Sequence, residues 1–557
     1  MAKEPKQEKL IEQMEDMLYK RNTHVFGVDL NPVVSISAII LIFLLSVYAF
    51  ISELGWFGLS PAIDTFTRVT NVIISNFDWV FIFATNFFIV LGLYLAFSRI
   101  GRVRIGGLRA KPEFSNFAWY SMLISAGMGI GLMFWAVGEP LTHFANRPPV
   151  YEHVNPTYQA LATTFLHWGL HPWAIYSIIA LALAYFAYNK KLPLSLRSIF
   201  YPLFKEKVFG LLGDIIDLLA VLATLFGLAT SLGLGVQQIN SGLNALTGLG
   251  ISTTVQVILI ILITAIATIS IVSGIDKGVK FLSKMNMRFA FVFMVLIFLL
   301  GPTAYIIRVF SNSFGHYLGE LIPASFFLSA DSQAARGWQG GWTVFYLAWW
   351  ISWSPFVGMF IARVSKGRTI REFILAVLVV PSMLSFIWLS VFGTTAIHVN
   401  ELNQGALFAI VVDQYEIALF EMIFMLDIAL LQGVVAVLLS ILATTLVISF
   451  FVTSSDSGSI VVNNITSGGK INTPTRQRVF WAVLEGFIAA LLLIIGGERA
   501  LAALQSAVIM SGLPFAIVLV FMSFLLLSSL QVTYRRQKRQ RDVKEIKNII
   551  ETTDIQL

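Results

Sequence analysis

Apolar residues in this chain fall into runs of about 20, separated by short segments that contain charged residues, glycine or proline. A helix of about 20 apolar residues crosses the hydrocarbon core of a bilayer, so the pattern predicts an all-α membrane protein. The first 30 residues are charged and do not resemble a cleavable signal peptide. The runs predict 12 transmembrane helices, at 33–53, 77–98, 117–144, 157–188, 209–240, 251–273, 286–308, 342–363, 371–397, 432–464, 479–497 and 501–531.

Composition and charge agree with this class. Of the 557 residues, 57% are hydrophobic and 12% are charged, which is too little charge for the surface of a soluble domain. The absence of cysteine excludes disulfide and zinc–thiolate chemistry. Lys and Arg concentrate in the even-numbered connections, which predicts that these connections and both termini are cytoplasmic. The net charge of +7 follows from this bias, so we expect no nucleic-acid partner.

One membrane domain is expected between two tails. The prediction assigns 1–32 to a cytoplasmic N-terminal tail, 33–531 to the transmembrane domain and 532–557 to a short basic cytoplasmic C-terminal tail. The last tail contains YRRQKRQR at 534–541. This run either anchors the last helix by the positive-inside rule or contacts anionic lipids of the bilayer.

Two predicted helices contain residues that weaken a helix. The third has GMGIG at 127–131, and a helical glycine costs about 1 kcal/mol relative to alanine. The eighth has Pro355 and two serines in WWISWSP at 349–355. Glycine and proline also serve packing in membrane helices. Matched breaks in two five-helix units, helices 3–7 and 8–12, favour instead a transporter site between inverted repeats.

Aromatic residues cluster near the centres of two predicted helices, although tryptophan usually lies at the membrane interface. Each cluster lies on one side of its helix, at about 100° per residue. Indole faces attract a quaternary ammonium group by about 2 kcal/mol when the group is desolvated. Packing alone would explain a single tryptophan, but several on two helices favour a cation cage. They are Trp168, Trp173 and Tyr176 in the fourth helix and Tyr346, Trp350 and Trp353 in the eighth.

Hydroxyl groups in the tenth helix could bind a cation. SFFVTSSDSGS at 449–459 contains Thr453 and Ser454, and sodium is coordinated by hydroxyl and carbonyl oxygens where a helix unwinds. Serine and threonine in membrane helices commonly bond back to their own backbone. Spacing alone favours that second interpretation.

Ionisable residues inside membrane helices are candidate functional groups. Glu139 is expected near the outer end of the third helix, and Asp456 follows the hydroxyl cluster of the tenth. His167 and His171 are spaced i, i+4, but without an evident third metal ligand they favour hydrogen-bonded structural histidines. Asp214 and Asp217 lie in the first turns of the fifth helix, where the helix dipole favours acids.

Several segments together resemble the betaine/choline/carnitine transporters, from about residue 33 to 531. The resemblance implies a fold of the LeuT type, with two extra helices before the repeats, assembled as a homotrimer in a bacterial-type inner membrane. It also implies transport of quaternary-ammonium compatible solutes, often driven by Na⁺. The segments are GMGIG…EP, FLHWGLHPWAIY (165–176), SGIDKGVKFLSKMN (273–286), GWTVFYLAWW (341–350), WWISWSPFVGMF (349–360) and RVSKGRTIREF (363–373).

The same resemblance implies the site residues. Substrate would bind an aromatic box of Trp168, Trp173, Tyr176 and Trp350, with Trp349, Trp353 and Phe356 lining the pathway and Gly127, Met128, Gly129 and Gly131 contributing backbone. Sodium would be bound by Ser125, Met128, Phe450, Thr453 and Ser454.

Three positions modify this expectation. Members of the family usually have tryptophan where this chain has Leu347, which implies a looser cage on that side. Thr224 is followed one turn later by Leu228, which makes a second sodium site doubtful. Choline-type members often have aspartate in place of Gly131, so glycine here favours a zwitterion that carries its own carboxylate.

We therefore expect a sodium-coupled importer of glycine betaine or a close relative, working by alternating access, and not an enzyme. Proton coupling or a choline- or carnitine-type substrate is the alternative within transport. A channel or a membrane sensor is the alternative from another class.

Overall fold

The computed structural model describes residues 19–553, apart from 26, 128, 273–275, 427–431 and 471. It is helical throughout except for a two-stranded antiparallel hairpin, β1 (Thr23–Val25) and β2 (Val28–Leu30). The helices are α1 (Pro32–Glu53), α2 (Ala62–Phe97), α3 (Asn116–Gly127), α4 (Ile130–Ala145), α5 (Pro156–Trp168), α6 (Leu170–Ala184), α7 (Leu196–Ile199), α8 (Tyr201–Phe204), α9 (Leu211–Thr247), α10 (Thr253–Val272), α11 (Asp276–Leu300), α12 (Thr303–Gly319), α13 (Leu321–Ser325), α14 (Gln333–Gln339), α15 (Phe345–Val364), α16 (Ile370–Leu402), α17 (Ala406–Asp413), α18 (Ala418–Met425), α19 (Gln432–Thr466), α20 (Thr475–Gly496) and α21 (Ala500–Thr553).

Irregular turns join several of these helices. Short 3₁₀ turns occupy Trp56–Gly58, Arg99–Arg102, Lys205–Phe209, Tyr415–Ile417 and Gly497–Arg499. Two single π turns extend α6 and precede α15, at Tyr185–Asn189 and Gly340–Val344.

Apolar helices long enough to cross a membrane number nine within the described residues, or eleven if each of two bent pairs counts as one span. The protein is therefore a multi-pass membrane protein. One of the nine apolar stretches, Thr475–Gln540, includes both α20 and the first part of α21. The count of 12 spans and the inverted repeat stay predictions.

Local sequence signals set where several helices begin. Asn31 caps α1, because its side-chain oxygen accepts from the backbone N–H groups of Val33 and Val34. Thr369 caps α16 by accepting from the N–H of Glu372. Such caps satisfy N–H groups that have no partner inside the helix and contribute about 1 kcal/mol each.

The break in the third predicted helix is present. α3 ends at Gly127 and α4 begins at Ile130, and the two helices are bent by 60°. Gly129 precedes α4 in an extended conformation. The fourth predicted helix contains a second, unpredicted break: α5 ends at Trp168 and α6 starts at Leu170, with Gly169 non-helical between them.

The interruption predicted for the eighth helix at 349–355 is wrong. α15 runs without a break from Phe345 to Val364 with Pro355 inside it. Proline removes the hydrogen bond to the carbonyl four residues earlier, which here belongs to Ile351. The hydroxyl of Ser354 donates to that carbonyl at 2.7 Å and so satisfies it. The irregular backbone lies earlier, in the π turn Gly340–Val344.

The seventh predicted helix was also placed wrongly beyond residue 300. α11 ends at Leu300, and the chain turns by 107° into α12. Pro302 lies at this turn, where it cannot continue the hydrogen-bond ladder of α11.

Candidate functional site

A cavity lies where the α3–α4 break meets α5, α6 and α15. Only about 30 Å³ of it is open to the centre of a water molecule, so its walls enclose it closely. Most of the predicted substrate residues line it. The lining comprises Ala126, Gly127, Gly129, Ile130, Gly131, Leu132, Trp168, Pro172, Trp173, Tyr176, Ser231, Trp349, Trp350, Trp353, Ser385 and Ser454.

The aromatic side chains form a connected set around this space. Trp168 meets Trp350 edge to face, with ring centroids 4.9 Å apart, and Tyr176 lies 6.4 Å from Trp350 in the same manner. Trp173 meets Tyr176 at 5.4 Å, and Trp349 stacks on Trp350 at 4.8 Å. These spacings of 4.8 to 6.4 Å are typical of aromatic contacts, and the rings present both edges and faces. The structure thus brings the four predicted box residues together.

Two glycines leave room for these rings. A Cβ atom on Gly127 would lie 2.8 Å from Cζ2 of Trp173, and one on Gly131 would lie 3.0 Å from Cη2 of both Trp168 and Trp349. Any side chain at either position would therefore displace an indole of the box. Gly129 differs, because a Cβ there meets nothing within 4 Å.

The backbone at the break offers hydrogen-bond donors. Gly129, Ile130 and Gly131 line the cavity at the beginning of α4. The first N–H groups of a helix have no acceptor in the preceding turn, and the helix dipole favours negative charge there. The cavity therefore combines π faces that suit a cation with a helix N-terminus that suits an anion.

Glu139 of α4 is fully buried and anchors the aromatic wall. Its Oε2 accepts from Nε1 of Trp168 at 2.8 Å and from the hydroxyl of Tyr346 at 2.5 Å. Its Oε1 lies 2.7 Å from Nδ1 of His167. The indole nitrogen of Trp350 in turn donates to the backbone carbonyl of His167 at 3.0 Å. The sequence marked Glu139 only as an acid within an apolar run and gave no sign of these partners.

His167 does have candidate metal-ligating neighbours, contrary to the sequence interpretation. The ligand atoms of Glu139, His143 and His167 all lie within 4.8 Å of one another, and all three residues are buried. His171 is not part of this group. The hydrogen bonds from Trp168, Tyr346 and His167 account for the carboxylate of Glu139, whereas the buried ring nitrogens of His143 have no hydrogen-bond partner among the described residues.

The other predicted pathway residues differ in whether they line the cavity. Trp353 lines the cavity, and Phe356 packs on Trp353 with ring centroids 5.4 Å apart without joining the lining. Leu347 is buried. Six lining residues were not among the predicted site residues: Ala126, Ile130, Leu132, Pro172, Ser231 and Ser385.

Of the predicted sodium ligands, Ser454 lines the same cavity as Gly127. The hydroxyl of Thr453 donates to the carbonyls of Ser449 at 3.0 Å and Phe450 at 3.2 Å. Ser125 and Phe450 are placed in α3 and α19 but not in the cavity lining. Met128 lies outside the described residues.

A multi-pass helical protein with an enclosed aromatic cavity at a helix break has the architecture of a membrane transporter. Comparison with known proteins identifies which kind. The chain matches the betaine/carnitine/choline family transporter (BCCT) over residues 32–535, and it belongs to that family. It is therefore a transporter and not an enzyme.

Named relatives agree with this assignment. The chain is 45% identical over 517 residues to a glycine betaine/proline/choline/ectoine transporter of Vibrio parahaemolyticus, covering 92% of this chain and 89% of the relative. It is also 45% identical over 523 residues to glycine betaine transporter 1 of the same organism, covering 92% and 95%. A glycine betaine transporter of Acinetobacter baylyi is 40% identical over 508 residues, covering 90% and 74%.

Proposed function

We propose that this protein is a secondary active transporter that imports glycine betaine or a close relative together with Na⁺ by alternating access. The observation that carries the proposal is the buried set of Trp168, Trp173, Tyr176 and Trp350 beside the α3–α4 break. The printed names of the relatives support the solute class.

The two ends of a zwitterion fit the two parts of the cavity. The quaternary ammonium group would lie against the indole faces, where desolvation makes the cation–π attraction worth about 2 kcal/mol or more. The carboxylate would accept from the N–H groups at the beginning of α4.

Gly131 supports a zwitterion over choline. Choline lacks a carboxylate, and an acidic side chain at position 131 would supply the missing charge. In this structure the indoles of Trp168 and Trp349 occupy the space that such a side chain would need. A zwitterion brings its own carboxylate to this position.

Na⁺ would bind as a co-transported ion between α3 and α19. Carbonyls of Ser125, Met128 and Phe450 and hydroxyls of Thr453 and Ser454 are the proposed ligands. The hydroxyl of Thr453 donates its hydrogen to backbone carbonyls and accepts from Nδ2 of Asn286 at 3.5 Å, which leaves one oxygen lone pair for a cation. Ser454 reaches the substrate cavity itself, so ion and solute could stabilise each other's binding.

One sodium ion is proposed. The hydroxyl of Thr224 bonds back to the carbonyl of Ala220 at 2.7 Å. Leu228, one turn later, is buried and packs where Gly458 leaves space, because a Cβ on Gly458 would lie 2.5 Å from its Cδ1. An aliphatic side chain at this position offers no ligand for a second ion.

The membrane setting follows the family. We propose a homotrimer of LeuT-type repeats in a bacterial-type inner membrane, with both termini cytoplasmic and the basic run at 534–541 against anionic lipids. This run continues the helix α21, which ends at Thr553, beyond the boundary predicted at 532.

The experiment is uptake of labelled glycine betaine into proteoliposomes that hold the purified protein. Uphill accumulation driven by an inward sodium gradient supports the proposal and excludes a channel, which only equilibrates its solute. Accumulation without sodium under a pH gradient would instead establish proton coupling. Tryptophan-fluorescence titration with betaine, choline, carnitine and ectoine, with and without sodium, identifies the solute. Choline is the second candidate, because one relative is named for it as well.

A further inference from the structure

Glu139 lies directly behind the wall of the aromatic box. Nε1, at one end of the Trp168 indole, donates to Oε2 of Glu139 at 2.8 Å. Cη2, at the opposite end of the same indole, lies 3.0 Å from the position of a Cβ on Gly131. One indole ring therefore separates the buried carboxylate from the glycine segment where substrate would bind.

The carboxylate also connects the two facing sides of the box. Tyr346 on α15 shares Oε2 with Trp168 on α5. Oε1 meets His167, whose backbone carbonyl holds the indole nitrogen of Trp350. Glu139 and His167 together therefore orient the indoles of Trp168 and Trp350, which meet edge to face with ring centroids 4.9 Å apart.

The groups around the carboxylate of Glu139 suit its ionised form. Trp168 can only donate, and it shares Oε2 with the tyrosine hydroxyl. His167 satisfies both ring nitrogens as a neutral imidazole if Nδ1–H donates to Glu139 and Nε2 accepts from the hydroxyl of Thr343, 3.1 Å away. Within the described part of the chain, the salt-bridge partners of Glu139 are His143 and His167, and no Lys or Arg neutralises it.

We propose that Glu139 is a positioning and specificity-determining residue of the substrate site. Its hydrogen bonds hold Trp168 and Trp350 at the angle that receives the cation. Its charge, transmitted through the hydrogen-bonded indole, increases the electron density of the ring face and attracts the ammonium group. The inference rests on the proposed function, because it requires a quaternary ammonium ligand in the box.

The charge has a different effect on two kinds of ligand. A monovalent cation is attracted as a whole, and across one indole ring in a partly desolvated site this attraction corresponds to roughly tenfold in affinity. In a zwitterion the carboxylate is repelled while the ammonium is attracted, so the two effects largely cancel. Loss of the charge should therefore weaken the binding of monovalent cations more than the binding of a zwitterion. A purely structural disturbance of the box should weaken the binding of both ligands equally.

The test is fluorescence titration of the purified full-length protein with glycine betaine and with two monovalent cations, choline and tetramethylammonium. In Glu139→Gln we expect the cations to bind about tenfold more weakly and betaine less than threefold more weakly. In Glu139→Asp, which keeps the charge, the ratio of the affinities should stay within about twofold of wild type. Equal losses for all three ligands in Glu139→Gln, or no change, would overturn the proposal.

A second variant pair decides the matter if Glu139→Gln does not yield folded protein. Nε2 of the buried His143 lies 3.6 Å from Oε1 of Glu139. His143→Lys would place a positive charge beside the carboxylate without removing it, and His143→Gln is the neutral control. Relative to His143→Gln, the His143→Lys variant should bind choline and tetramethylammonium more weakly while its affinity for betaine changes less. Equal losses of affinity for all three ligands refute the inference. Absence of binding by the wild-type protein would refute the proposed function itself, and the inference with it.

Discussion

The ring of Trp168 meets that of Trp350 edge to face, with centroids 4.9 Å apart and ring planes inclined by 69°. One ring ends α5 and the other lies within α15, so the contact joins two helices at the cavity. A ligand cation between them would meet π surface from both.

Replacement of either indole should weaken binding much more than it weakens the fold. For Trp350→Ala or Trp168→Ala we expect a loss of about 2 kcal/mol, or roughly 30-fold in Kd for betaine, because the cation loses a ring face. Trp350→Phe should lose less. Trp481→Ala removes a buried indole outside the cavity lining and serves as control, with thermal unfolding measured in parallel. Unchanged betaine affinity in Trp350→Ala would refute the role of the aromatic box in substrate binding.

Gly131→Ala should impair binding although it adds only a methyl group. That carbon would lie 3.0 Å from Trp168 and Trp349, and forcing such side chains aside costs about 1–3 kcal/mol. Gly129→Ala is the matched control two residues away, because its Cβ meets nothing within 4 Å and its extended backbone suits any residue. Equal betaine affinities for the two variants would contradict the steric role of Gly131.

Ser454→Ala should raise the sodium concentration needed for half-maximal betaine binding by about tenfold, corresponding to the loss of one oxygen ligand of about 1.4 kcal/mol. Ser459→Ala lies on the same helix, where its hydroxyl donates to the carbonyl of Asp456 at 2.9 Å, and should leave the sodium dependence unchanged. Identical sodium titrations for both variants would exclude Ser454 as a ligand.

Ser354→Ala should destabilise α15 locally. The variant leaves the carbonyl of Ile351 without its 2.7 Å hydrogen bond next to Pro355, at a cost of about 1–3 kcal/mol for a buried acceptor. Ser354→Ala combined with Pro355→Ala restores a backbone N–H to that carbonyl, and the double variant should recover most of the loss in thermal unfolding. A double variant less stable than Ser354→Ala would argue against this pairing.

Arg197 should be essential to the stability of the region where α9 begins. It is fully buried, with Nε 2.5 Å from Asp217 and Nη1 3.1 Å from Asp214, and removal of one partner of a buried pair costs about 3–5 kcal/mol. Arg499 pairs with Asp64 at 2.9 Å on the exposed surface, so Arg499→Ala should cost less than about 1 kcal/mol. Comparable unfolding temperatures for the two alanine variants would contradict this.

Features that depend on local sequence were predicted well. The bounds of α1 and α10 match the apolar runs within two residues, because length and hydropathy alone define a lipid-facing helix. The break at 127–131 followed from glycine content. Trp168, Trp173, Tyr176 and Trp350 do line one cavity, as their density in two helices and the family resemblance indicated.

Features that depend on packing were not predicted. The continuity of α15 through Pro355 rests on one rotamer of Ser354, which the sequence cannot specify. The hydrogen-bond partners of the Glu139 carboxylate come from positions 28 to 207 residues away in the chain. The turn at Pro302 differs, because the pair Gly301 and Pro302 is itself a helix-ending signal in the sequence.

The two walls of the aromatic box differ in the continuity of their backbone. Trp349, Trp350 and Trp353 belong to one uninterrupted helix. Trp168 and Trp173 stand on opposite sides of a non-helical glycine and belong to separate helices. A change of backbone conformation at Gly169 would therefore alter the distance from Trp168 to Trp173, whereas no comparable break separates the three tryptophans of α15.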